Sequence, residues 1–353
     1  MPEISIIVPN FNTEKYIARC VDSLIHQTFQ DIEIIVIDDG STDNSINILK
    51  GYQDNRLHIL FHKGDGFGPG GARNLGLEKA TGKYVMFCDS DDWYEPNMCQ
   101  KMYDTIEKYQ VDVVCCQNFY DIEDGLSKAE RNKRSKNQSF PLNLNIYPAK
   151  NHILKANVVL WNKIWRRSLI ERYNIRFILQ NEHDDDAFWY MYASIGSTIY
   201  YLKEKLYHYF LRKNSIMSLA FHKKPKNPSD RFQICMAIFN FLSIHNILNK
   251  HKNLILKVFK NEMCESVEVV PMEKLKEYCE ILNNLIKNNL KSNAYLVVGD
   301  RSVFLIKRYS KIKLWALFFL FHFKKRIYWF VKEEKYKKYI KKINQVQSVL
   351  KII

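Results

Sequence analysis

Asp89, Asp91 and Asp92 stand close together directly after an apolar run at 82–88. The run is typical of a buried strand, and Pro96 suits the first turn of a following helix. Like charges this close repel one another, and a cation among them lowers that cost. Hard cations such as Mg²⁺ typically bind one or two carboxylates together with substrate phosphates. The spacing therefore predicts a metal and phosphate site. The alternative is a solvated acidic turn in which an Asp caps the next helix.

A second acidic cluster contains Asp184, Asp185 and Asp186 and opens a predicted helix at 187–193. Acidic side chains interact favourably with the N-terminus of a helix, so capping alone is one explanation. The other is general-base catalysis, in which an ionised carboxylate removes the proton of a hydroxyl group. Three adjacent Asp residues on a helix cannot all point the same way. One of them is therefore the candidate base, while its neighbours cap the helix or form ion pairs.

Two other predicted strands end in polar or aromatic residues. Pro9 and Phe11 follow the first strand, and the ring of Phe11 could stack on a base. Asp39 follows the second strand, where dinucleotide-binding folds place an acid that accepts hydrogen bonds from ribose hydroxyls. Each feature is also compatible with an ordinary turn.

A glycine-rich segment at 64–71 precedes Arg73, whose guanidinium is a candidate partner for a carboxylate or a phosphate. The segment lacks the phosphate-loop motif, which disfavours a nucleoside triphosphatase. The glycines are equally explained by a tight turn into the following helix.

Alternating strands and helices position these residues. Predicted strands lie at 4–8, 33–37, 57–61, 82–88 and 111–116, and predicted helices lie at 13–27, 43–51 and 72–80. Such alternation predicts an α/β fold with a parallel sheet and right-handed crossovers. The carboxyl ends of the strands form the ligand-binding edge of an open α/β sheet, and the candidate residues follow those ends. Helical spacing of apolar residues continues from 230 to 293.

The composition is that of a globular protein, since 46% of the 353 residues are hydrophobic. The eight Cys are scattered without a CxxC pair, which argues against a disulfide framework or zinc site and favours a reducing compartment. We find no signal-peptide pattern at the N-terminus and no apolar stretch long enough to cross a bilayer.

Several short strings of this sequence resemble, in the same order, motifs of glycosyltransferase family 2, the inverting enzymes with a GT-A fold. They lie at 8–12, 37–43, 72–76, 87–92, 161–165, 183–188, 206–209 and 212–217. The resemblance implies an α/β GT-A fold, with a Rossmann-like nucleotide-binding sheet, followed by a C-terminal helical region. It also implies transfer of a hexose or N-acetylhexosamine from a UDP-sugar to a hydroxyl of a surface glycan such as lipooligosaccharide, capsule or exopolysaccharide.

The resemblance also implies roles for individual residues. The nucleotide-sugar site would contain Pro9, Phe11, Asp39, Arg73 and Asp89. Asp89 and Asp91 match the DxD motif, in which Asp89 faces the ribose or the metal and Asp91 binds a divalent metal, Mn²⁺ or Mg²⁺, that bridges the diphosphate. Asp185 matches the catalytic base. Asp184 stands where the family usually has Glu, so the register among Asp184, Asp185 and Asp186 stays open.

The sequence departs from the family at Phe210, where Arg is common, and Arg212 is a candidate for that role. Two functions of other classes remain open. A nucleotidyltransferase would need a basic, glycine-rich start near residue 10, which this sequence lacks. A non-enzymatic nucleic-acid or membrane binder is supported only by the basic tail, and we expect no nucleic-acid partner.

The net charge of +15 is concentrated in residues 301–353, which carry 15 Lys or Arg and only Glu333 and Glu334 as acids. Aromatic residues are interleaved with these basic residues over 303–343, as in an interfacial membrane anchor. We therefore expect a GT-A domain at 1–220, a helical region at 221–300 and a basic, aromatic, helical tail at 301–353. The tail would hold a cytoplasmic enzyme on the inner face of the membrane, near a lipid-linked acceptor. Alternatively, its aromatic residues pack onto 230–293.

Overall fold

The computed structural model of the protein describes residues 1–62, 68–123, 146–148, 158–181, 183–195, 197–212, 229–290, 292, 294–299 and 302–307. The strands are β1 (Ile4–Asn10), β2 (Ile32–Asp38), β3 (Leu57–Phe61), β4 (Tyr84–Phe87), β5 (Trp93–Tyr94), β6 (Val113–Ile122), β7 (Ile146–Pro148), β8 (Lys163–Arg166), β9 (Thr198–Leu211), β10 (Ala294–Gly299) and β11 (Ser302–Lys307). The helices are α1 (Ile17–Ile25), α2 (Ser45–Lys50), α3 (Gly68–Lys79), α4 (Met98–Tyr109), α5 (Arg167–Arg172), α6 (Asp184–Ser194), α7 (Asp230–Ile244), α8 (Lys252–Glu265) and α9 (Met272–Asn289), with 3₁₀ turns at Asn249–His251 and Ser266–Glu268.

β1 lies inside the main sheet, between β2 and β4. The strand order is β3-β2-β1-β4-β8-β6-β9-β5, and β7 also pairs with β9. β3, β2, β1 and β4 are parallel, as the alternation of strands and helices predicts. Their carboxyl ends therefore lie at one edge of the sheet, where Asn10 pairs with Asp38.

β8 makes the sheet mixed, because it runs antiparallel between β4 and β6. Trp165 of β8 lies between Val85 of β4 and Val113 of β6. β6 keeps the direction expected from the sequence but is not a direct neighbour of β4. A strand of four residues with two basic side chains has no recognisable strand pattern, so the sequence did not predict β8.

Residues of β1 alternate between two hydrophobic cores, as the period of a strand requires. Ile4, Ile6 and Val8 pack in a core with α1 and α4, whereas Ile7 belongs to a core with α3 and α6. Residues of α7, α8 and α9 are part of this second core. The C-terminal helices therefore continue the core that begins on one face of the sheet.

The C-terminal region contains the expected helices but ends in a β-hairpin. β10 and β11 pair antiparallel, with Ala294 opposite Lys307 and Gly299 opposite Ser302. The helical prediction is therefore wrong at 294–299 and 303–307. Runs of Tyr, Val, Leu, Phe and Ile favour strands, and the Gly-Asp pair at 299–300 favours a hairpin turn.

The rest of the predicted membrane-binding tail, residues 308–353, lies outside the described residues. Within the described ranges, no helix combines the length and the apolar character that a membrane span needs. The proposed division of the chain at 220 and 300 stays a prediction.

Candidate active site

Arg73 of α3 lies at the centre of the site and contacts carboxylates from two distant segments. Its Nη2 donates to Asp89 Oδ1 at 2.9 Å, and its Nη1 donates to Asp184 Oδ2 at 2.9 Å and Asp185 Oδ1 at 3.4 Å. Burial disfavours the charge, but the three carboxylates outweigh it and raise the pKa of Arg73. One charged guanidinium therefore joins the first acidic cluster to the second.

Close packing around α3 brings Arg73 to this position. A Cβ at Gly70 would lie 2.8 Å from Asp184 Oδ2 and 2.7 Å from the carbonyl oxygen of Ile178. Asn74 exchanges two hydrogen bonds with the backbone of Phe177, at 2.8 and 3.0 Å. Gly70 thus allows the helix to approach the segment before α6. Residues 64–67 of the glycine-rich segment lie outside the described residues.

The three aspartates after β4 have different surroundings. Asp92 is 1% exposed and accepts hydrogen bonds from Tyr207 Oη at 2.6 Å and Phe210 N at 2.7 Å. The side chains of Asp91 and Asp89 are 17% and 29% exposed. Asp92 therefore fixes the loop to β9, and Asp89 and Asp91 are the more accessible aspartates of the cluster.

Two arginines flank Asp91. Arg212 Nε donates to Asp91 Oδ2 at 2.5 Å, and Arg19 Nη2 donates to the Asp91 carbonyl oxygen at 3.1 Å. The Arg19 guanidinium lies 3.7 Å from the centroid of the Trp93 ring and 4.5 Å from that of Phe210. Sequence reasoning missed Arg19, because no local pattern links it to a loop 72 residues away. Phe210, where the family often has Arg, here supports another arginine.

Asp89 and Asp91 fit the donor set of a divalent cation in the presence of a diphosphate. Burial raises the pKa of Asp91, and Arg212 opposes this effect, so the carboxylate favours a positive partner. Nowhere in the described ranges do three His, Cys, Asp or Glu side chains form a group that could hold a metal ion. Mg²⁺ commonly takes only one or two carboxylates and completes its shell with phosphate oxygens and water.

The candidate nucleoside residues lie at the ends of β1 and β2. Asp39 is 8% exposed, accepts a hydrogen bond from Gly68 N at 2.9 Å, and lies 3.1 Å from His62 Nδ1. Phe11 is 55% exposed directly after β1, whereas Pro9 is buried within the strand. Phe11 and Asp39 thus lie at the same edge, and Phe11 offers its ring to solvent.

The three aspartates that open α6 point to three different surroundings. The Asp184 side chain is 5% exposed and is held by Arg73, and that of Asp186 is 11% exposed and is held by Arg231 Nη1 at 2.6 Å. The Asp185 side chain is 24% exposed. Burial and the neighbouring carboxylates raise the pKa of Asp185, while Arg73 opposes the shift. Asp185 is therefore the most accessible carboxylate of the cluster.

The comparisons with known sequences agree with this geometry. The sequence model described as "Glycosyl transferase family 2" matches residues 5–173. The Bacillus subtilis (strain 168) protein named as glycosyltransferase EpsH is 35% identical over 266 residues, which are 71% of this chain and 72% of EpsH.

Solved structures share the fold. TarS 1–349 of Staphylococcus aureus in complex with UDP-GlcNAc has a TM-score of 0.57 at 21% identity, covering 88% of this chain and 98% of that one. The mannosyltransferase PcManGT of Pyrobaculum calidifontis, in complex with GDP-Man and Mn²⁺, has a TM-score of 0.50 at 16% identity, covering 82% and 81%. These likenesses confirm the expected GT-A fold with a C-terminal helical region. The identity to EpsH, which covers more than two thirds of both chains, and the match to the family model show that the chain is an enzyme that belongs to glycosyltransferase family 2.

Proposed function

We propose that the protein is an inverting transferase that moves a hexose or an N-acetylhexosamine from a UDP-sugar to a hydroxyl of a surface-glycan acceptor. The observation that carries the proposal is the position of Arg73 between Asp89 and Asp185. A diphosphate bound beside Asp89 and a hydroxyl bound beside Asp185 would be held close together by one guanidinium, and such proximity favours a direct displacement.

UDP as the nucleotide is supported by the similar fold of TarS, which has been solved with UDP-GlcNAc and with UDP. In this chain we expect Phe11 to contact the base and Asp39 to accept hydrogen bonds from the nucleoside. Arg19 and Arg212, which flank Asp91, are suited to an anionic diphosphate.

Asp91 and Asp89 would hold a divalent cation, Mn²⁺ or Mg²⁺. When bound, such a cation neutralises negative charge on a leaving diphosphate. The fold shared with PcManGT, which has been solved with Mn²⁺, supports this assignment. Arg212 would leave the carboxylate of Asp91 when the cation binds.

The proposed reaction is a single displacement. Asp185 accepts the proton of the acceptor hydroxyl while its oxygen forms a bond to the anomeric carbon. The bond from that carbon to the diphosphate oxygen breaks, and its electron pair leaves with UDP. Attack opposite the leaving group inverts the configuration of the anomeric carbon.

The test is release of UDP from a panel of UDP-sugars incubated with the full chain and Mn²⁺, with GDP-mannose and dTDP-glucose as competing donors. We expect release from at least one UDP-sugar and its loss in excess EDTA. Preferred use of GDP- or dTDP-sugars would refute the nucleotide assignment. Pyrophosphate release from a nucleoside triphosphate would instead support a nucleotidyltransferase.

A further inference from the structure

A buried hydrogen-bond network lies behind α6, outside the groups that the proposed reaction uses. Arg231 Nη1 donates to Asp186 Oδ2 at 2.6 Å and to Glu262 Oε2 at 2.9 Å. Tyr190 Oη donates to the other oxygen of Glu262 at 2.9 Å. Asp186 and Glu262 are only 8% and 2% exposed, so this network lies in the interior and joins α6, α7 and α8.

The network attaches two successive turns of α6 to one acidic side chain. Asp186 and Tyr190 are four residues apart and therefore lie on the same face of the helix. Tyr190 contacts Glu262 directly, and Asp186 reaches it through Arg231. This face of α6 is consequently held by the C-terminal helices.

A second attachment fixes the segment before α6. Asn181 Nδ2 donates to the carbonyl oxygen of Asp230 at 3.1 Å, and Asn181 Oδ1 accepts from His183 N at 2.8 Å. Asn181 is 4% exposed. The chain is thus attached to the start of α7 on both sides of Asp185 in the sequence, through Asn181 before it and Asp186 after it.

We propose that Arg231 is a positioning residue for catalysis, because its bridge from Asp186 to Glu262 fixes the rotation of α6 and aims Asp185 at the acceptor hydroxyl. Arg73 holds Asp184 on one side, and Arg231 holds Asp186 on the other. Asp185 lies between them in sequence and is left accessible. The inference rests on the proposed role of Asp185, and it makes the C-terminal helices part of the catalytic unit.

The proposal predicts a specific kinetic change. The candidate donor contacts of Asp39 and Asp89 lie outside α6 and outside the network. Loss of the bridge should therefore lower kcat while leaving the KM for the donor and the binding of UDP unchanged. A misplacement of about 1 Å at a reacting group can cost 10²-fold in rate.

The test compares Arg231→Met with Arg56→Met, using the UDP-sugar found active and either water or a sugar acceptor. Arg56 forms a comparable pair with Asp54 at 2.7 Å but contacts neither α6 nor the site, so it is the matched control. We expect Arg231→Met to lose at least tenfold in kcat, with UDP affinity measured by calorimetry within twofold of the parent. Arg231→Lys, whose ammonium can still donate to both carboxylates, should restore most of the rate.

A further variant distinguishes a catalytic defect from misfolding, because Arg231→Met alone leaves two buried acids without their counter-charge. The triple variant Asp186→Asn, Arg231→Met, Glu262→Gln contains no such charge, and we expect it to fold with kcat still reduced. Unchanged kcat in Arg231→Met or in the triple variant would overturn the proposal, because both remove the bridge. If Asp185→Asn also retained full turnover, the assignment of the base itself would fail instead.

Discussion

At the scale of single residues, the site depends on Arg73, whose one charge faces three carboxylates. The Asp184 carboxylate is the most buried of the three acceptors. Asp89 and Asp185 each accept a hydrogen bond from Arg73, at 2.9 and 3.4 Å. The side chains of Asp89 and Asp185 are 29% and 24% exposed, so both carboxylates can also contact a ligand. An arginine is suited to this place, because its planar fork can donate in two directions at once, which a lysine ammonium does less specifically.

Asp91 and its neighbour Asp92 form a matched pair for testing the metal. Asp91→Asn should abolish most turnover with little change in the melting temperature, because this side chain lies at the accessible edge. Asp92→Ala should lower the free energy of unfolding by about 1–3 kcal/mol for each donor left unsatisfied, Tyr207 Oη and Phe210 N. Turnover and calorimetric melting measure the two effects. Metal-dependent activity in Asp91→Asn equal to that of the parent would contradict the assignment.

Asp185 should determine the acidic limb of the pH–rate profile. Burial raises the pKa of its carboxyl, and a base works only when ionised, so turnover should fall as the pH decreases through this raised value. Asp185→Asn should lower kcat by about 10²–10⁴-fold, with UDP binding retained. Asp184→Asn and Asp186→Asn are the comparison variants, because these residues lie in the same helix turn as Asp185. A larger loss of kcat in either neighbour would show that the base had been assigned to the wrong residue.

The identities of these residues could be predicted from the sequence, but their partners could not. Asp89 and Asp185 stood out as carboxylates after a strand and at a helix start. That both contact Arg73 depends on tertiary packing, since Arg73 is 16 residues from Asp89 and 112 residues from Asp185, and no local pattern encodes such contacts. For the same reason, the sequence did not indicate which protein groups bind Asp92 and Asp186.

At the scale of elements, α6 is an unusual helix because its first turn carries three aspartates, two of which are buried against arginines. Acidic side chains suit this end of a helix, so the sequence predicted the helix and placed its start within a few residues. Strands with continuous apolar runs were equally clear. β8 and most of β9 mix aromatic and basic residues, and their positions depend on pairing with β4 and β6.

Protonation of buried Asp186 should make the free energy of unfolding decrease as the pH rises. Burial and Glu262 raise the pKa of Asp186 to about 7, with Arg231 opposing, against about 4 in an unfolded chain. The folded state therefore binds this proton more tightly, and the contribution of Asp186 to stability is lost as the pH rises from about 4 to 7. The shift bounds the effect at about 4 kcal/mol.

Asp186→Asn removes this titration and keeps an oxygen for Arg231. Its melting temperature relative to the parent should therefore increase between pH 5 and pH 8. Glu171→Gln, at a surface pair with Arg176, is the control and should run parallel to the parent. If the melting temperatures of Asp186→Asn and the parent changed with pH in parallel, the folded state would not bind the proton of Asp186 more tightly than the unfolded chain.

At the scale of the whole molecule, the C-terminal helices share a hydrophobic core with α3 and α6. Val303 of β11 is fully buried, and its carbonyl oxygen accepts from Cys264 Sγ of α8 at 3.0 Å. The hairpin is thus packed against the helices. Any test of the basic tail must therefore keep residues up to Lys307, or it would remove part of this core as well.

The basic segment within 308–343 should bind an anionic membrane surface from the cytoplasmic side. Trp315, Phe318 and Trp329 supply interfacial aromatic groups, and the Lys and Arg residues around them each contribute about 1 kcal/mol near such a surface. The full chain should co-sediment with vesicles containing phosphatidylglycerol at low salt, and much less with phosphatidylcholine alone. A chain ending at Lys307 keeps β11 and is the matched control, which should lose this binding without a change in melting temperature. Equal sedimentation of both chains would assign binding to another surface. A lower melting temperature for the shortened chain without any vesicle binding by the full chain would instead favour packing of the tail onto the helices.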